Sequence, residues 1–354
     1  MIQSCDVGSL PYTGDMDKLL EGANHFVHSL DTDSARFFEQ KVLRSFVDKL
    51  KAGISIPAFP QFRDMSEMFL SIFQGLEKMK DGYAEVGRLS VKSGEGKVAE
   101  VAVIEKNAER IYAQMNAPFQ LRVCVTGPYT LASFLPYRTS QTYTQLGRVL
   151  SEIIQRNIFS VKHGEVALVS VDEPLFGMVD EPLIDRGTEG RENLLEAWES
   201  MMRQARGRNI ETCIHLHCTS DDLFWSLKSL KVVESHVDDP LYEMKITKER
   251  LESEDKSLKA SVAIADFDRL IREKLGSKIS DEVVADAWKS ISKRTLKPET
   301  FLEDVGVMRK RFARLVERFG TERIVLIGPE CGLRGFPTYS SAIECLRCVS
   351  RALE

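Results

Sequence analysis

Val166-Ala167-Leu168-Val169-Ser170-Val171-Asp172-Glu173-Pro174 is a short, β-rich apolar run that ends abruptly in two acids and a proline. A continuous apolar run of this length, with no polar alternation, reads as a strand buried on both faces. The same arrangement recurs along the chain. Glu211-Thr212-Cys213-Ile214-His215-Leu216 leads into His217-Cys218, and Arg323-Ile324-Val325-Leu326-Ile327 leads into Gly328-Pro329-Glu330-Cys331. Leu121–Val125 and Lys231–Ser235 are two further strand-like runs. Amphipathic stretches separate them, from about 143 to 163, 191 to 206 and 301 to 319. The last of these carries Val305, Met308, Phe312, Leu315 and Val316 at helical spacing. Strands alternating with helices predict parallel βαβ units. Chemically capable residues repeated at strand ends favour a (β/α)8 barrel, whose active site is assembled from such ends. Neither Val7-Gly8-Ser9-Leu10 nor Gly94-Glu95-Gly96 forms a dinucleotide fingerprint or a P-loop. The expectation is one barrel over residues 1–354, with a charged excursion around 240–300 in which 253–257 forms a solvated loop.

Composition narrows the function classes. Of 354 residues, 43% are apolar and 29% charged, with a formal net charge of -5. Acids outnumber dispersed Lys and Arg, which argues against a nucleic-acid partner. No apolar run reaches the roughly 18–20 residues that span a bilayer. The first residues lack a basic segment followed by an apolar one, so no secretory signal is read and the expected compartment is the cytosol.

Seven cysteines, an odd number, are then expected to be thiols. Of only six histidines, His215, His217 and His236 cluster. Zinc takes Cys and His donors, two close in sequence and others distant. On a strand, Cys213, His215 and His217 share one face and Cys218 the other. Cys331, before a glycine that permits a sharp turn, is the distant donor. Cysteine also packs as a small hydrophobe, and Cys5, Cys124, Cys345 and Cys348 are read in that way.

At these residues the chain resembles the catalytic half of the cobalamin-independent methionine synthases, and more closely their short archaeal-type relatives. Val7-Gly8-Ser9-Leu10-Pro11 resembles the family's opening segment, and Thr126-Gly127-Pro128-Tyr129-Thr130-Leu131 its Thr-Gly-Pro motif. Val171-Asp172-Glu173-Pro174 resembles the Asp-Glu-Pro motif, and Pro329-Glu330-Cys331-Gly332-Leu333 the late zinc-ligand motif. The four occur in family order from position 7 to 334.

The resemblance implies a (β/α)8 barrel binding Zn2+ and a methyl transfer to a zinc-held thiol, with homocysteine giving methionine. It implies Cys331 as a ligand, with His215 and His217, or His217 and Cys218 in the alternative register. A fourth ligand falls at Glu234 or His236, and His236 is favoured because Glu234 is more readily read as ion-paired. Ser9 and Asp172 are the implied amino-acid contacts, with Asp172 also the implied catalytic residue and Met65 and Phe134 also lining the substrate and donor sites. Asp172 and Glu173 read without the family are a helix N-cap or an ion-paired rim.

Departures from the family shape the remaining expectations. Phe59 stands where the family has the glutamate that holds the substrate ammonium, so a different thiol, for instance a sulfonate, enters as an alternative, with Arg63 or Arg334 as counter-charge. Phe134 replaces the tryptophan that stacks on folate, no folate-binding half precedes the barrel, and no histidine follows His236. These favour a corrinoid protein or methylcobalamin over methyl-folate as donor. Two other readings remain: a metal-free uroporphyrinogen-decarboxylase-like barrel, and a non-catalytic zinc- or corrinoid-binding barrel.

Overall fold

The computed structural model describes residues 2–276 and 278–354. Its strands are β1 (Gln3–Ser4), β2 (Phe73–Met79), β3 (Gly82–Val91), β4 (Phe119–Thr126), β5 (Ser160–Val161), β6 (Gly164–Glu173), β7 (Glu211–Leu216), β8 (Val232–Glu234), β9 (Ser257–Ala263) and β10 (Ile324–Pro329). Seven of them lie side by side, all parallel, in the order β1-β10-β9-β8-β7-β6-β4. The ring is closed by residues 56–61, bridged to β1 through Cys5 and Ile56 and to β4 through Ala58 and Arg122. Ile56 N–H donates to Ser4 O and Arg122 N–H to Pro57 O, both at 2.9 Å. Pro57 and Pro60 remove two donors from this segment, which explains why it pairs in single bridges instead of a continuous ladder.

Inside the barrel the side chains form layers. At the N-terminal end Cys5, Ile56, Leu168, Cys213, Val232 and Leu326 make an apolar plug. Above it lie fully buried Arg122, Ser170, Glu234 and Lys259. Outside, helices such as Ser140–Asn157 and Glu189–Met202 bury one face each. They cross closely at Gly147, where a Cβ would lie 2.5 Å from that of Ala197. Among the described residues no helix is long and apolar enough to cross a membrane.

Two stretches differ from the sequence expectation. The charged region 240–300 is not an excursion. It contains β9, inserted between β8 and β10, and helices Lys245–Ser253, Phe267–Leu275 and Asp281–Ser292. Of the expected loop 253–257, Ser253 ends a helix and Ser257 starts β9. Lys259 interrupts the apolar pattern of β9, yet its ammonium points inward, 2.8 Å from Glu234 Oε2. The other stretch is the antiparallel β2–β3 hairpin, which stands off the barrel sheet. Its signal was present in Asp81-Gly82, a turn dipeptide at the point where Met79 pairs with Gly82.

The closing segment 56–61 is fixed by a buried ion pair. Lys49 Nζ donates to Asp6 Oδ2 at 2.7 Å and to the carbonyls of Gly8 and Ala58 at 2.9 Å. Asp6 Oδ1 accepts from Ala58 N–H at 2.7 Å. Lys49→Met strands a buried carboxylate and is expected to cost roughly 3–5 kcal/mol in urea unfolding, part of it recovered by adding Asp6→Asn. A Lys49→Met protein with unchanged stability would show that this pair does not hold the barrel seam.

Candidate metal centre

Strand β7 presents its odd-numbered side chains to the barrel interior. Cys213 sits in the apolar plug, His215 one layer higher, and His217 just past the strand end. Cys331 follows β10, and His236 follows β8. Donor atoms of His215, His217 and Cys331 all lie within 4.8 Å of one another. Cys331 Sγ is 3.4 Å from His217 Nε2, and the His236 ring centroid is 4.2 Å from that of His217. Nε2 of both His215 and His236 is buried without a hydrogen-bond partner. Buried imidazole nitrogens seldom go unpaired, and two of them beside a cysteine sulfur are nitrogen and sulfur donors of the kind that could hold a metal ion.

Electrostatics separate Cys331 from the other buried thiols. Burial pushes Cys5, Cys124, Cys213, Cys345 and Cys348 upward, so they stay neutral. Burial acts on Cys331 in the same direction, but the three neighbouring imidazoles of His215, His217 and His236 outweigh it and hold the thiol well below its ordinary range. Burial disfavours the imidazolium of His215, yet the Cys331 sulfur and Glu234 push its pKa up to about 9.

Three acids hold backbone at this end of the barrel, two of them in the loops that carry these groups. Glu330, next to Cys331, accepts from Val237 N–H at 2.9 Å and Ala265 N–H at 2.8 Å, which ties the loops after β8, β9 and β10 together. Asp239 accepts from Thr219 N–H at 3.1 Å and Leu241 N–H at 2.8 Å, joining the loops after β7 and β8. Glu173 is fully buried and accepts from the N–H groups of Tyr129 (2.9 Å) and Thr130 (2.7 Å) and from Trp198 Nε1 (2.7 Å). It therefore caps the helix Pro128–Ala132, not one beginning at Pro174. Gly127 has no Cβ because Glu173 Oε1 occupies that place, 2.1 Å away.

The remaining sequence candidates separate into those near the centre and those apart from it. Asp172, the penultimate residue of β6, lies directly beside His215. It is buried, accepts from Ser170 Oγ at 2.6 Å and lies 3.8 Å from Arg122 Nη2. Ser9 packs on the turn after Cys331: Leu333 N–H donates to its carbonyl at 2.9 Å, and a Cβ on Gly332 would lie 1.9 Å from its Oγ. Met65 accepts from Thr126 Oγ1 through its carbonyl at 2.7 Å. Phe134 is partly exposed, with its carbonyl bonded to Tyr83 N–H of the hairpin at 2.8 Å.

Cys218 is outside the group: its thiol is 3.2 Å from Ser220 Oγ, on the other side of the strand end, as alternation requires. Arg63 is no free counter-charge, because it forms a bidentate pair with buried Glu100 at 2.8 and 2.5 Å. Arg334 is exposed, and Phe59 is buried. Arg122, Lys259 and Asp239 were not anticipated as parts of this region. The available signal was a lone charge inside an apolar β run, at Arg122 and at Lys259.

No family model matches the chain, and no curated protein matches it. Solved structures do. A B12-independent methionine synthase from Shewanella sp. W3-18-1, in complex with selenomethionine, aligns over 99% of this chain and 96% of its own, with a TM-score of 0.59 at 14% identity. A putative vitamin-B12-independent methionine synthase from Listeria monocytogenes aligns over 99% and 98%, with a TM-score of 0.58 at 14% identity. The chain has the methionine-synthase barrel fold. A methyltransferase from Methanosarcina mazei is similar over 98% of this chain and 94% of its own, with a TM-score of 0.52 at 11% identity.

Glu330→Gln turns one acceptor into an amide donor facing a backbone N–H. It is expected to lower stability by about 1–3 kcal/mol and to speed hydrogen exchange at Val237 or Ala265. Unchanged exchange at both amides would exclude the clamp.

Proposed function

We propose that this chain is a zinc-dependent methyltransferase that passes a methyl group to a small thiol. The observation that carries the reading is the pair of unpartnered, buried imidazole nitrogens on His215 and His236 facing the Cys331 sulfur at the C-terminal mouth of the barrel. His215, His217 and Cys331 would hold the ion, with His236 beside them. Zinc bound there supplies the means to keep a coordinated substrate thiol deprotonated at neutral pH, where a free thiol with pKa of about 8.5 is mostly protonated. His215, once deprotonated, offers Nε2 as a donor, and Glu330 keeps the Cys331 turn in register with the His236 loop.

Homocysteine is the preferred thiol. Asp172, a carboxyl group beside the centre, suits its ammonium group, and the Ser9 hydroxyl, against the Cys331-Gly332 turn, suits its carboxylate. Phe59 gives one acidic contact fewer than the family pattern. That favours testing a sulfonate thiol as the second substrate, with Arg334 as the remaining counter-charge. Phe134, partly exposed on the rim, offers a ring to the methyl donor, taken to be a corrinoid, free or protein-bound, before methyl-folate. The seven thiols, none of them paired, suit the cytosol.

Elemental analysis of the purified chain is expected to find about one zinc per protein, lost in Cys331→Ser. The loaded protein is expected to methylate homocysteine from methylcobalamin faster than it methylates 2-mercaptoethanesulfonate; the reverse order selects the sulfonate reading. A folded chain that takes up no zinc when offered it would end the proposal.

Zinc uptake should also depend on pH. An ion at His215 must displace a proton held up to a pKa of about 9, whereas the Cys331 thiol is already favoured as thiolate. Apparent affinity is therefore expected to rise with pH and level off near 9, by up to about tenfold per unit below that point. Competition against a chromophoric chelator from pH 6 to 9 measures this. A flat profile would contradict the assignment of His215.

A further inference from the structure

We propose that Glu234 is a positioning residue for the metal centre, holding His215 by Nδ1 so that Nε2 faces Cys331, and that it is not itself a ligand. The inference rests on the zinc reading above. Parallel register places Glu234 of β8 directly beside His215 of β7. A carboxylate has about four lone-pair directions, and Glu234 is crowded by four buried nitrogens, two of them hydrogen-bonded to it from Arg122. Oε1 meets Arg122 Nη2 and lies 2.9 Å from His215 Nδ1. Oε2 accepts from Arg122 Nη1 at 3.1 Å and meets Lys259 Nζ at 2.8 Å. All of these side chains are 0–3% exposed.

An ion bound at Glu234 would have to displace Arg122 or Lys259 and leave a buried cation uncompensated, which costs several kcal/mol. His236 makes that unnecessary, since its own buried Nε2 is unpartnered. A neutral imidazole carries one N–H and one acceptor nitrogen. With the proton on Nδ1, toward Glu234, the lone pair of Nε2 points at the centre, the usual arrangement of a metal-bound histidine and its supporting carboxylate. The Nδ1 contact is close but off the hydrogen-bond axis, and a small ring rotation on binding aligns it. Two neutral imidazoles and one thiolate holding a divalent ion, with neutral His236 beside them, would leave the centre with a net charge of +1.

The test compares the full-length wild-type chain with Glu234→Gln, the charge-balanced Glu234→Gln/Lys259→Met pair, His215→Ala, and Glu234→Gln/His215→Ala. Zinc affinity is measured by chelator competition, and Co2+ spectra report the donor set. The charge-balanced pair is expected to bind zinc about 10–100-fold more weakly than wild type, with the sulfur-to-cobalt band retained. The effect of Glu234→Gln should vanish in the His215→Ala background, because it acts through that ring. Affinity unchanged in both Glu234 variants overturns the inference, and so does an effect that persists without His215. Imidazole 15N shifts of the zinc-loaded wild-type chain need no variant: protonated Nδ1 with metal-bound Nε2 at His215 supports the inference, and the reverse overturns it. Wild-type protein that binds no zinc sinks the zinc reading itself, an outcome distinct from zinc bound equally well by every variant.

Discussion

Two cations sealed inside a β-barrel set the terms for the rest of this molecule. Arg122 and Lys259 are fully buried, and neither is tolerable there without an anion. Glu234 faces both, its carboxyl held well below the usual range because Arg122, Lys259 and His215 outweigh the effect of burial. Arg122 also donates to Ser170 Oγ at 2.8 Å, and Lys259 to Pro329 O at 2.7 Å. One charged layer thus links β4, β6, β8, β9 and β10. It separates the apolar plug below from the histidines and cysteine above.

That separation accounts for the chemistry available at the mouth. Below the charged layer, Cys5 and Cys213 are neutral packing residues. Above it, Cys331 meets three imidazoles. The residue type is the same, but burial dominates in one place and is outweighed in the other. The acids divide in a similar way. Asp172 points toward the centre, whereas its neighbour Glu173 points outward and spends its oxygens on backbone N–H groups and Trp198. Burial pushes the Glu173 pKa up to about 7 despite those bonds.

Much of the frame was legible from strand runs because buried parallel strands are nearly continuous apolar stretches. The runs at 121–125, 166–171, 211–216, 231–235 and 323–327 fall on β4, β6, β7, β8 and β10 with small end shifts. The segments that escaped notice break that rule. Residues 56–61 carry two prolines, β1 is two residues long, and β9 has a lysine at its third position. A lysine in a strand is normally read as solvent-facing, and only its partner Glu234 on the neighbouring strand shows otherwise.

By itself, the sequence determined the alternation of strands and helices, the polar residues at strand ends, and the face shared by Cys213, His215 and His217. These follow from local periodicity, which each segment carries without reference to the others. Tertiary structure alone decided which candidates meet. It brought Cys331 to His215 and His217 across more than a hundred residues, turned Cys218 away, engaged Arg63 with Glu100, and surrounded Glu234 with cations. Those outcomes depend on strand order and register around a closed ring, which place Glu234 beside His215 and Asp172 beside His215. No window of sequence contains both partners of such contacts, so their distances and charges exist only once the ring has closed.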